Sequence, residues 1–327
     1  MGYTPPFELN DEMLEGVTEI VEMLGRISNV GALDKLPKLR RAGRIKSIHS
    51  SLAIEKNTLT IEQVTDIING KRVLGPPNEI QEVKNAFEAY KEIETTNPNS
   101  VKDLLKIHGI MMYGLVDNPG AFRPGQVGVF DGSGKVIHMA PPALNVSGLI
   151  NELFDWLQKS KAHPLIKSSV FHYEFEFIHP FPDGNGRMGR LWQTVILSAW
   201  KPIFAWIPIE SIVNERQQEY YDAITLSTSS GSSNPFIIYM LKAISDAVQG
   251  IVSDTSAHIN HISERVRKLL SVMQDYPMSA NEIMGLLEMK SKASFRVNYL
   301  QPAIEAGLVG LTDPDMPTNR NQRYFKK

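Results

Sequence analysis

The feature that most constrains this chain is a polar, glycine-rich run at residues 179–190, set between two apolar segments. Upstream, from 164 to 178, apolar residues recur at spacings of one, three and four, which predicts a buried helix. Pro180 and Pro182 end that pattern. Downstream, the apolar residues from 191 to 200 again share one helical face. The run is therefore predicted to be a loop that leads into a helix N-terminus.

This run carries the groups that nucleotide chemistry needs. A helix N-terminus presents unpaired N–H groups and a partial positive charge, and glycines let those groups approach a polyphosphate closely. Arg187 and Arg190 add fork-shaped donors for phosphate oxygens. Asp183 is an oxygen ligand suited to Mg²⁺. His179 supplies an imidazole, the side-chain group that can titrate near neutral pH, as a general base requires.

The full pattern, His-x-Phe-x-(Asp/Glu)-Gly-Asn-Gly-Arg-x-x-Arg, resembles the signature of the Fic (Fido) family without departure. Most Fic proteins move AMP from ATP to a Ser, Thr or Tyr hydroxyl of a target protein. The resemblance implies a mainly α fold, with a helical core and a β-hairpin flap. It implies that His179 deprotonates the target hydroxyl and that Asp183 binds the Mg²⁺ that bridges the α- and β-phosphates. The phosphate groups would be held by Gly184, Asn185 and Gly186 as an anion hole, by Arg187, and by Arg190 at the γ-phosphate.

A second family feature lies upstream. Ser51-Leu52-Ala53-Ile54-Glu55 resembles the inhibitory pattern (Ser/Thr)-x-x-x-Glu-(Gly/Asn) of Fic proteins, except that Lys56 stands where Gly or Asn is usual. The resemblance implies that Glu55 occupies Arg190 and competes with the γ-phosphate, so that the enzyme is autoinhibited. The alternative is that Glu55 is a solvated charge on an amphipathic helix.

Two short β-type runs flank an Asp-Gly-x-Gly turn at 131–134, which predicts a hairpin. In Fic proteins a flap in this place covers the active site and aligns the target backbone by strand-like pairing. Its first strand here would be Val127, Gly128, Val129 and Phe130. An ordinary surface hairpin is the alternative.

Two further features outside the signature involve aromatic side chains. Tyr220 and Tyr221 resemble a tyrosine pair that lies near the adenosine in many Fic proteins, with core packing as the alternative for Tyr220. His172, inside the apolar helix, is predicted to be a satisfied core histidine without a catalytic role. The chain has no Cys, which excludes thiol nucleophiles and thiolate zinc sites.

The C-terminal residues resemble a winged helix-turn-helix module. After a helical pattern that begins near His261, Ser279 is predicted to open a helix through Met289 and Ser291 another through Ala306. A hairpin of residues 308–311 and 322–325 follows. Basic residues at the second of these helices favour DNA binding, whereas a weak overall charge excess leaves protein docking or dimer packing open. The basic residues are Lys290, Lys292 and Arg296.

The chain of 327 residues is thus predicted to contain an N-terminal helical region with the inhibitory helix (1–95), a Fic catalytic core (96–255) and a winged module (256–327). A net charge of −2 gives no global basic field. The start of the chain lacks the pattern of a secretion signal, and the apolar stretch 194–209 is interrupted and too short to span a bilayer. A cytoplasmic protein without membrane association is expected.

The function expected from the sequence is protein adenylyltransfer with ATP and Mg²⁺, on a target protein with an acceptor hydroxyl. Because relatives often form dimers, a homodimer is also expected. Two alternatives stay open: a Fic enzyme that uses another nucleotide or removes AMP, and a DNA-binding regulator whose Fic core acts as a sensor.

Overall fold

The computed structural model describes residues 3–29, 37–130, 136–260, 264–305, 308–314, 319 and 321–326. The predicted mainly α fold is confirmed. The helices are α1 Asp11–Asn29, α2 Pro37–Ile54, α3 Ile61–Ile68, α4 Pro77–Lys91, α5 Val101–Met111, α6 Ala143–Lys159, α7 Pro164–Ile178, α8 Asn185–Trp200, α9 Ile209–Glu215, α10 Gln217–Ser230, α11 Asn234–Asn260, α12 Glu264–Val272, α13 Ala280–Leu286, α14 Lys292–Phe295 and α15 Gln301–Glu305. The strands are β1 Gly128–Phe130, β2 Val136–Met139, β3 Met278–Ser279, β4 Val309–Leu311 and β5 Arg323–Lys326.

Two compact units make up the chain. One contains Met1–Leu24 and Arg41–Gln249, and the other contains Gly25–Arg40 and Gly250–Lys327. Most of the predicted N-terminal region therefore belongs to the same unit as the signature, because its helices pack on the helices that hold the loop. In particular, α4 packs against α5, and α5 packs against α8.

The core of the larger unit is built around α7 and α8, which pack against each other on either side of the signature loop. Helix α7 is buried on nearly all sides, as its lack of a polar face predicts. Phe171 and Phe175 are fully buried, and each such side chain contributes roughly 1.5–3 kcal/mol of transfer free energy. The edge of Phe154 meets Phe171 at 5.2 Å between ring centroids. This packing makes α7 and α8 a rigid frame for the loop.

Helix α11, with 27 residues, is the longest helix among the described residues. Its segment Asn234–Ser253 has a mean hydropathy of 1.4 and the length to cross a membrane, but half of that segment is buried inside the protein. Phe236, Met240 and Ile244 are fully buried in the larger unit. The apolar composition of α11 is therefore also that of a core helix. This segment differs from the apolar stretch 194–209 that the sequence pattern indicated.

The predicted hairpin between the two family motifs is present as strands β1 and β2. They pair in antiparallel register, with Gly128 opposite Met139 and Val129 opposite His138, and the register shifts after Val129. The main-chain N–H of Ala140 donates to the carbonyl of Val127 at 3.2 Å. The predicted turn at 131–134 lies outside the described residues.

The smaller unit has its own core, formed by apolar residues of α12 to α15 and the strands that follow. Its antiparallel sheet has the order β3-β5-β4. Ser279 caps α13 in a capping box with Glu282, as the Ser279 pattern predicts, but α13 ends at Leu286 rather than Met289. Ser291 accepts a hydrogen bond from the N–H of Ser294 and so caps α14. A π-helical segment, Arg296–Leu300, joins α14 to α15. The buried residues of this core are Val266, Leu269, Met273, Met278, Ile283, Met284, Leu287, Phe295, Leu300, Ala303 and Val309.

Candidate active site

The signature loop is bracketed by two residues in the left-handed backbone region. His179, which caps the C-terminus of α7, has φ 51°, and Gly184, which precedes the first turn of α8, has φ 84°. A left-handed conformation is strained for residues with a Cβ, so Gly184 suits its position and His179 does not. A Cβ on Gly184 would also lie 2.6 Å from the sulfur of Met112. The strain at His179 must therefore be offset by the contacts around it.

Asn185 holds the loop closed from inside. Its side-chain amide donates to the carbonyl of Phe181, and its side-chain oxygen accepts from the N–H of Phe181, both at 2.9 Å. The amide group of the Asn185 side chain is therefore hydrogen-bonded within the loop. The first main-chain N–H of α8 that bonds within the helix is that of Met188, to the carbonyl of Gly184. The predicted anion hole would accordingly consist of the main-chain N–H groups of residues 185–187.

The imidazole of His179 is oriented by the last turn of α7. Its Nδ1 lies 3.3 Å from the carbonyl oxygen of Glu176, and the side chain is about one-fifth exposed. A proton on Nδ1 is favoured by that carbonyl, which leaves Nε2 as the basic nitrogen. This tautomer is the one that a general base in the loop would need.

Glu176 is a residue of the site that the sequence analysis missed. It is buried, one carboxyl oxygen has no hydrogen-bond partner, and the other lies 3.9 Å from Nδ1 of His179. Burial raises the pKa of Glu176 to about 8; the positive charge of Arg190 opposes this shift and the negative charge of Glu55 adds to it. The group is therefore mostly a neutral carboxyl at pH 7. The sequence signal was an acidic residue among the apolar residues at the end of α7, three positions before His179.

Arg190 and Glu55 form the pair that the family resemblance predicts. An Nη of Arg190 donates to the carboxylate of Glu55 at 2.7 Å. The same side chain donates to the hydroxyl of Ser51 at 3.1 Å and to its carbonyl at 3.0 Å. Arg190 is 3% exposed, so these contacts satisfy a buried cation. Burial has the largest single effect and lowers the pKa of Arg190, but Glu55, Tyr220 and Glu176 together raise it above its ordinary value.

The backbone conformation of Lys56 explains why the family pattern usually has glycine at this position. Helix α2 ends at Ile54, and Lys56 then adopts φ 70°, in the left-handed region. The N–H of Lys56 bonds to the carbonyl of Ala53, and that of Asn57 to the carbonyl of Leu52. These two bonds are those of a Schellman motif, which usually places glycine where Lys56 lies. Glu55 is thus fixed at the helix end, and the lysine departs from the family pattern at the expense of backbone strain.

Arg187, the other signature arginine, is also paired with carboxylates. One Nη donates to Glu82 on α4 at 3.1 Å, and the other to Asp183 at 3.0 Å. Glu82 in turn accepts a hydrogen bond from the side chain of Asn57 at 2.8 Å. Glu82 could not be identified from the sequence, because an acidic residue on an amphipathic helix carries no local sign of its partner.

Asp183 fits the metal role that the resemblance implies. Its side chain is 59% exposed and lies at the edge of the loop, beside the N-terminus of α8. Mg²⁺ usually takes one or two protein carboxylates and completes its octahedron with substrate phosphates and water. Among the residues that the structure describes, no three His, Asp or Glu side chains cluster as a protein-only metal site. The single carboxylate is therefore suited to a metal that arrives with a nucleotide.

His108 braces the far end of the loop and was also missed. One ring nitrogen lies 3.0 Å from the carbonyl of Asp183, and the other accepts from the N–H of Gly120 at 2.8 Å. The ring stacks on Phe181 at 3.6 Å between centroids. Burial lowers the pKa of His108 to about 4, so the ring is neutral at pH 7 and donates to Asp183 from Nε2.

Tyr220 lies in the core at 2% exposure. Its hydroxyl lies 3.1 Å from Nε2 of His172, whose Nδ1 lies 2.7 Å from the side-chain oxygen of Gln193. This position favours the core-packing interpretation of Tyr220 over contact with adenosine. Burial lowers the pKa of His172 to about 3, so it is neutral and fully hydrogen-bonded, which confirms its prediction as a core histidine.

Two protein-family models match this chain. The Fic/DOC family matches residues 98–197, which include α7, the loop and most of α8. The Fic-like C-terminal domain, described as filamentation induced by cAMP protein Fic-like, matches residues 264–325.

A crystal structure of a Fic family protein from Desulfovibrio desulfuricans G20 is 45% identical to this chain, with a TM-score of 0.77, and the match covers 99% of this chain and 98% of that one. A protein adenylyltransferase Fic from Nematostella vectensis is 27% identical over 80% of this chain and 60% of that protein. One of the same name from Culex quinquefasciatus is 30% identical over 65% of this chain and 43% of that protein. The chain spans about half the length of these two curated relatives.

Proposed function

From the premise that this chain belongs to the Fic family, we propose that it transfers AMP from ATP to a hydroxyl of a target protein and that Glu55 restrains this activity. The observation that carries the proposal is the ion pair of 2.7 Å between Glu55 and Arg190, formed beside a complete signature loop. Relatives named protein adenylyltransferase support the reaction class.

His179 is the general base of the proposed reaction. Its Nε2 takes the proton of the target hydroxyl as the hydroxyl oxygen attacks the α-phosphorus of ATP. The bond from the α-phosphorus to the bridging oxygen then breaks, and pyrophosphate leaves with that electron pair. The carbonyl of Glu176 keeps the proton of the imidazole on Nδ1, which leaves Nε2 able to accept.

The N-terminus of α8 holds the phosphates. Its main-chain N–H groups and Arg187 neutralise charge on the nucleotide, and Arg190 binds the γ-phosphate. Asp183 would hold Mg²⁺, which supplies positive charge that stabilises the leaving pyrophosphate. Because the loop is rigidly braced, these donors are in place before the reaction begins.

Glu55 restrains the reaction by competition. Its carboxylate occupies the Arg190 guanidinium that the γ-phosphate needs, so ATP either binds weakly or binds with its α-phosphate out of line. The Schellman motif at the end of α2 fixes the carboxylate in that place. Release of α2 from Arg190 would therefore activate the enzyme.

The proposal is tested with ATP labelled at the α-phosphate, in the presence of Mg²⁺ and cell lysate. We expect Glu55→Gly to label itself or a lysate protein more strongly than the wild type, and Glu55→Gly/His179→Ala to give no label. Glu92→Gly is a matched control, since Glu92 is the C-cap glutamate of α4 and pairs with Lys106 instead. Absence of label from every variant, with ATP binding intact, would exclude adenylyl transfer.

The assignments of DNA binding to the C-terminal module, of a homodimer and of a cytoplasmic location stay predictions from the sequence. For DNA binding, a salt-sensitive shift of random DNA on a gel is the direct test. For the dimer, the measurement is the mass of the full chain in solution.

A further inference from the structure

Arg123 lies next to the catalytic loop and contacts it through the main chain alone. Its Nε donates to the carbonyl of His179 at 2.7 Å, and an Nη lies 3.4 Å from the carbonyl of Ile178. Its own main-chain N–H donates to the carbonyl of Pro180 at 2.9 Å. These bonds surround the one loop residue that combines a left-handed backbone with a proposed catalytic side chain.

The same guanidinium holds both ends of the flap. One Nη donates to the carbonyl of Gly125 at 2.7 Å, and the other donates to the carbonyl of Pro141. Gly125 lies three residues before β1, and Pro141 lies two residues after β2. A single side chain therefore connects the two feet of the flap to the end of α7.

This use of an arginine is unusual because, within the part of the chain that the structure describes, its side chain donates to main-chain carbonyls alone. The side chain is 3% exposed, so its charge is taken out of water and compensated by carbonyl dipoles. Five N–H donors in one plane allow several carbonyls from different segments to be bound at once. A lysine has a point charge and no such plane, so it cannot reproduce the arrangement.

We propose that Arg123 is a positioning residue that fixes the His179 backbone and the feet of the flap as one unit. The inference rests on the proposed function, in which the flap aligns the target backbone while His179 accepts the hydroxyl proton. The distance between hydroxyl and base then depends on the relative placement of flap and loop, and Arg123 sets that placement. A misplacement of about 1 Å costs on the order of 100-fold in rate.

The test compares Glu55→Gly with Glu55→Gly/Arg123→Lys and Glu55→Gly/Arg123→Gln. The rate of labelling by α-labelled ATP is measured as a function of ATP concentration. We expect the maximum rate to fall by about 10- to 100-fold. The ATP concentration at half-maximal rate should change less than about twofold, because the donors to the phosphates lie on α8. Glu55→Gly/Arg216→Lys is the matched control, since Arg216 pairs with a carboxylate, that of Asp246.

Hydrogen exchange on the same variants without ATP gives a readout that does not depend on activity. The amide of Ala140, which bonds to Val127 at the base of the flap, should exchange faster in both Arg123 variants, with unchanged protection in α7 and α8. If Arg123→Lys retains the maximum rate and the protection at Ala140, the proposal is wrong. A parallel loss of ATP affinity and of protection throughout the unit would also overturn it, since the role would then be general stability.

The two proposals fail in different ways. If the Glu55→Gly parent transfers no label, adenylyl transfer is excluded, and hydrogen exchange at Ala140 still decides whether Arg123 holds the flap. If the parent labels protein but the Arg123 variants match it, only the positioning role is excluded.

Discussion

The side chain of Asn57 donates a hydrogen bond of 2.8 Å to the carboxylate of Glu82, and Glu82 in turn pairs with Arg187. Two residues earlier, Glu55 pairs with Arg190. The short segment that ends α2 therefore reaches both signature arginines, one directly and one through α4. In this structure, each of the two arginines that are proposed to bind phosphate is already paired with a carboxylate.

Glu82→Gln should bind ATP about three- to tenfold more tightly than the wild type. The amide keeps an oxygen that can accept from Arg187 but removes a negative charge near the phosphates, an effect of about 1 kcal/mol where water screens the charges. Calorimetric titration with ATP and Mg²⁺ measures the difference. Glu79→Gln is the matched control, one turn earlier on α4 and bonded to Thr58. Weaker ATP binding by Glu82→Gln would mean that Glu82 orients Arg187 rather than competing with phosphate.

Lys56→Gly should stabilise the protein by about 0.5–1 kcal/mol, because glycine adopts the left-handed conformation of this position without strain. It should also lower basal labelling, since a firmer end of α2 holds Glu55 on Arg190. Urea denaturation checks the stability. Lys91→Gly, in the last turn of α4, is a control with the opposite expected sign, a loss of up to about 1 kcal/mol. A destabilised Lys56→Gly would contradict the assignment of strain.

Gly186→Ala, in the Glu55→Gly background, should weaken ATP binding. A Cβ at residue 186 would lie 3.1 Å from an Nη of Arg190 and would overlap the place that the Glu55 carboxylate occupies. This is the place that we propose for the γ-phosphate, so the methyl group excludes the ligand. Binding is followed by titration with ATP. Gly148→Ala on α6 is the control, since a Cβ there meets no atom within 4 Å. Equal ATP affinity for parent and Gly186→Ala would place the γ-phosphate elsewhere.

The wild type should lose stability as pH rises because Glu176 ionises, and Glu176→Gln should not show this loss. The pKa of Glu176 is about 8 in the folded protein, against an ordinary value of 4.5, so the folded state holds a proton that the unfolded chain has released. The stability that protonated Glu176 contributes is fully present below pH 4.5. It is lost between pH 4.5 and 8, where the free energy of unfolding falls by at most about 1.4 kcal/mol per pH unit.

The measurement is the free energy of unfolding of Glu176→Gln and wild type from pH 4.5 to 9. The advantage of the variant should grow through that window and be constant above about pH 8. Glu88→Gln, at an exposed residue paired with Lys91, is the control and should show no such trend. A difference that is independent of pH would mean that Glu176 is ionised in the folded protein.

Local patterns in the sequence were sufficient for much of this structure. The apolar spacing predicted α7 with the bounds that the structure has. The glycines predicted a helix start at this place, but α8 begins at Asn185, so Gly186 already lies in its first turn. Ser279 and Glu282 form the cap that their spacing indicates. Glu55 was matched with Arg190 through the family resemblance, although 135 residues separate them. These features depend on neighbours within one or two turns of chain, or on a signature long enough to be specific.

The contacts that hold the site in place were decided only by the tertiary structure. Arg123, His108 and Glu82 reach the loop across 56, 75 and 105 positions of the sequence. Nothing in their local pattern distinguishes them from surface charges or core polar groups, because periodicity reports which face is buried and not which partner lies there. Whether Tyr220 met a nucleotide or the core was likewise a matter of packing. The sequence by itself thus determined the helices and the reactive loop. How that loop is held was decided by the tertiary structure, because the packing of the helices brings buried charged side chains to main-chain groups that are distant in sequence.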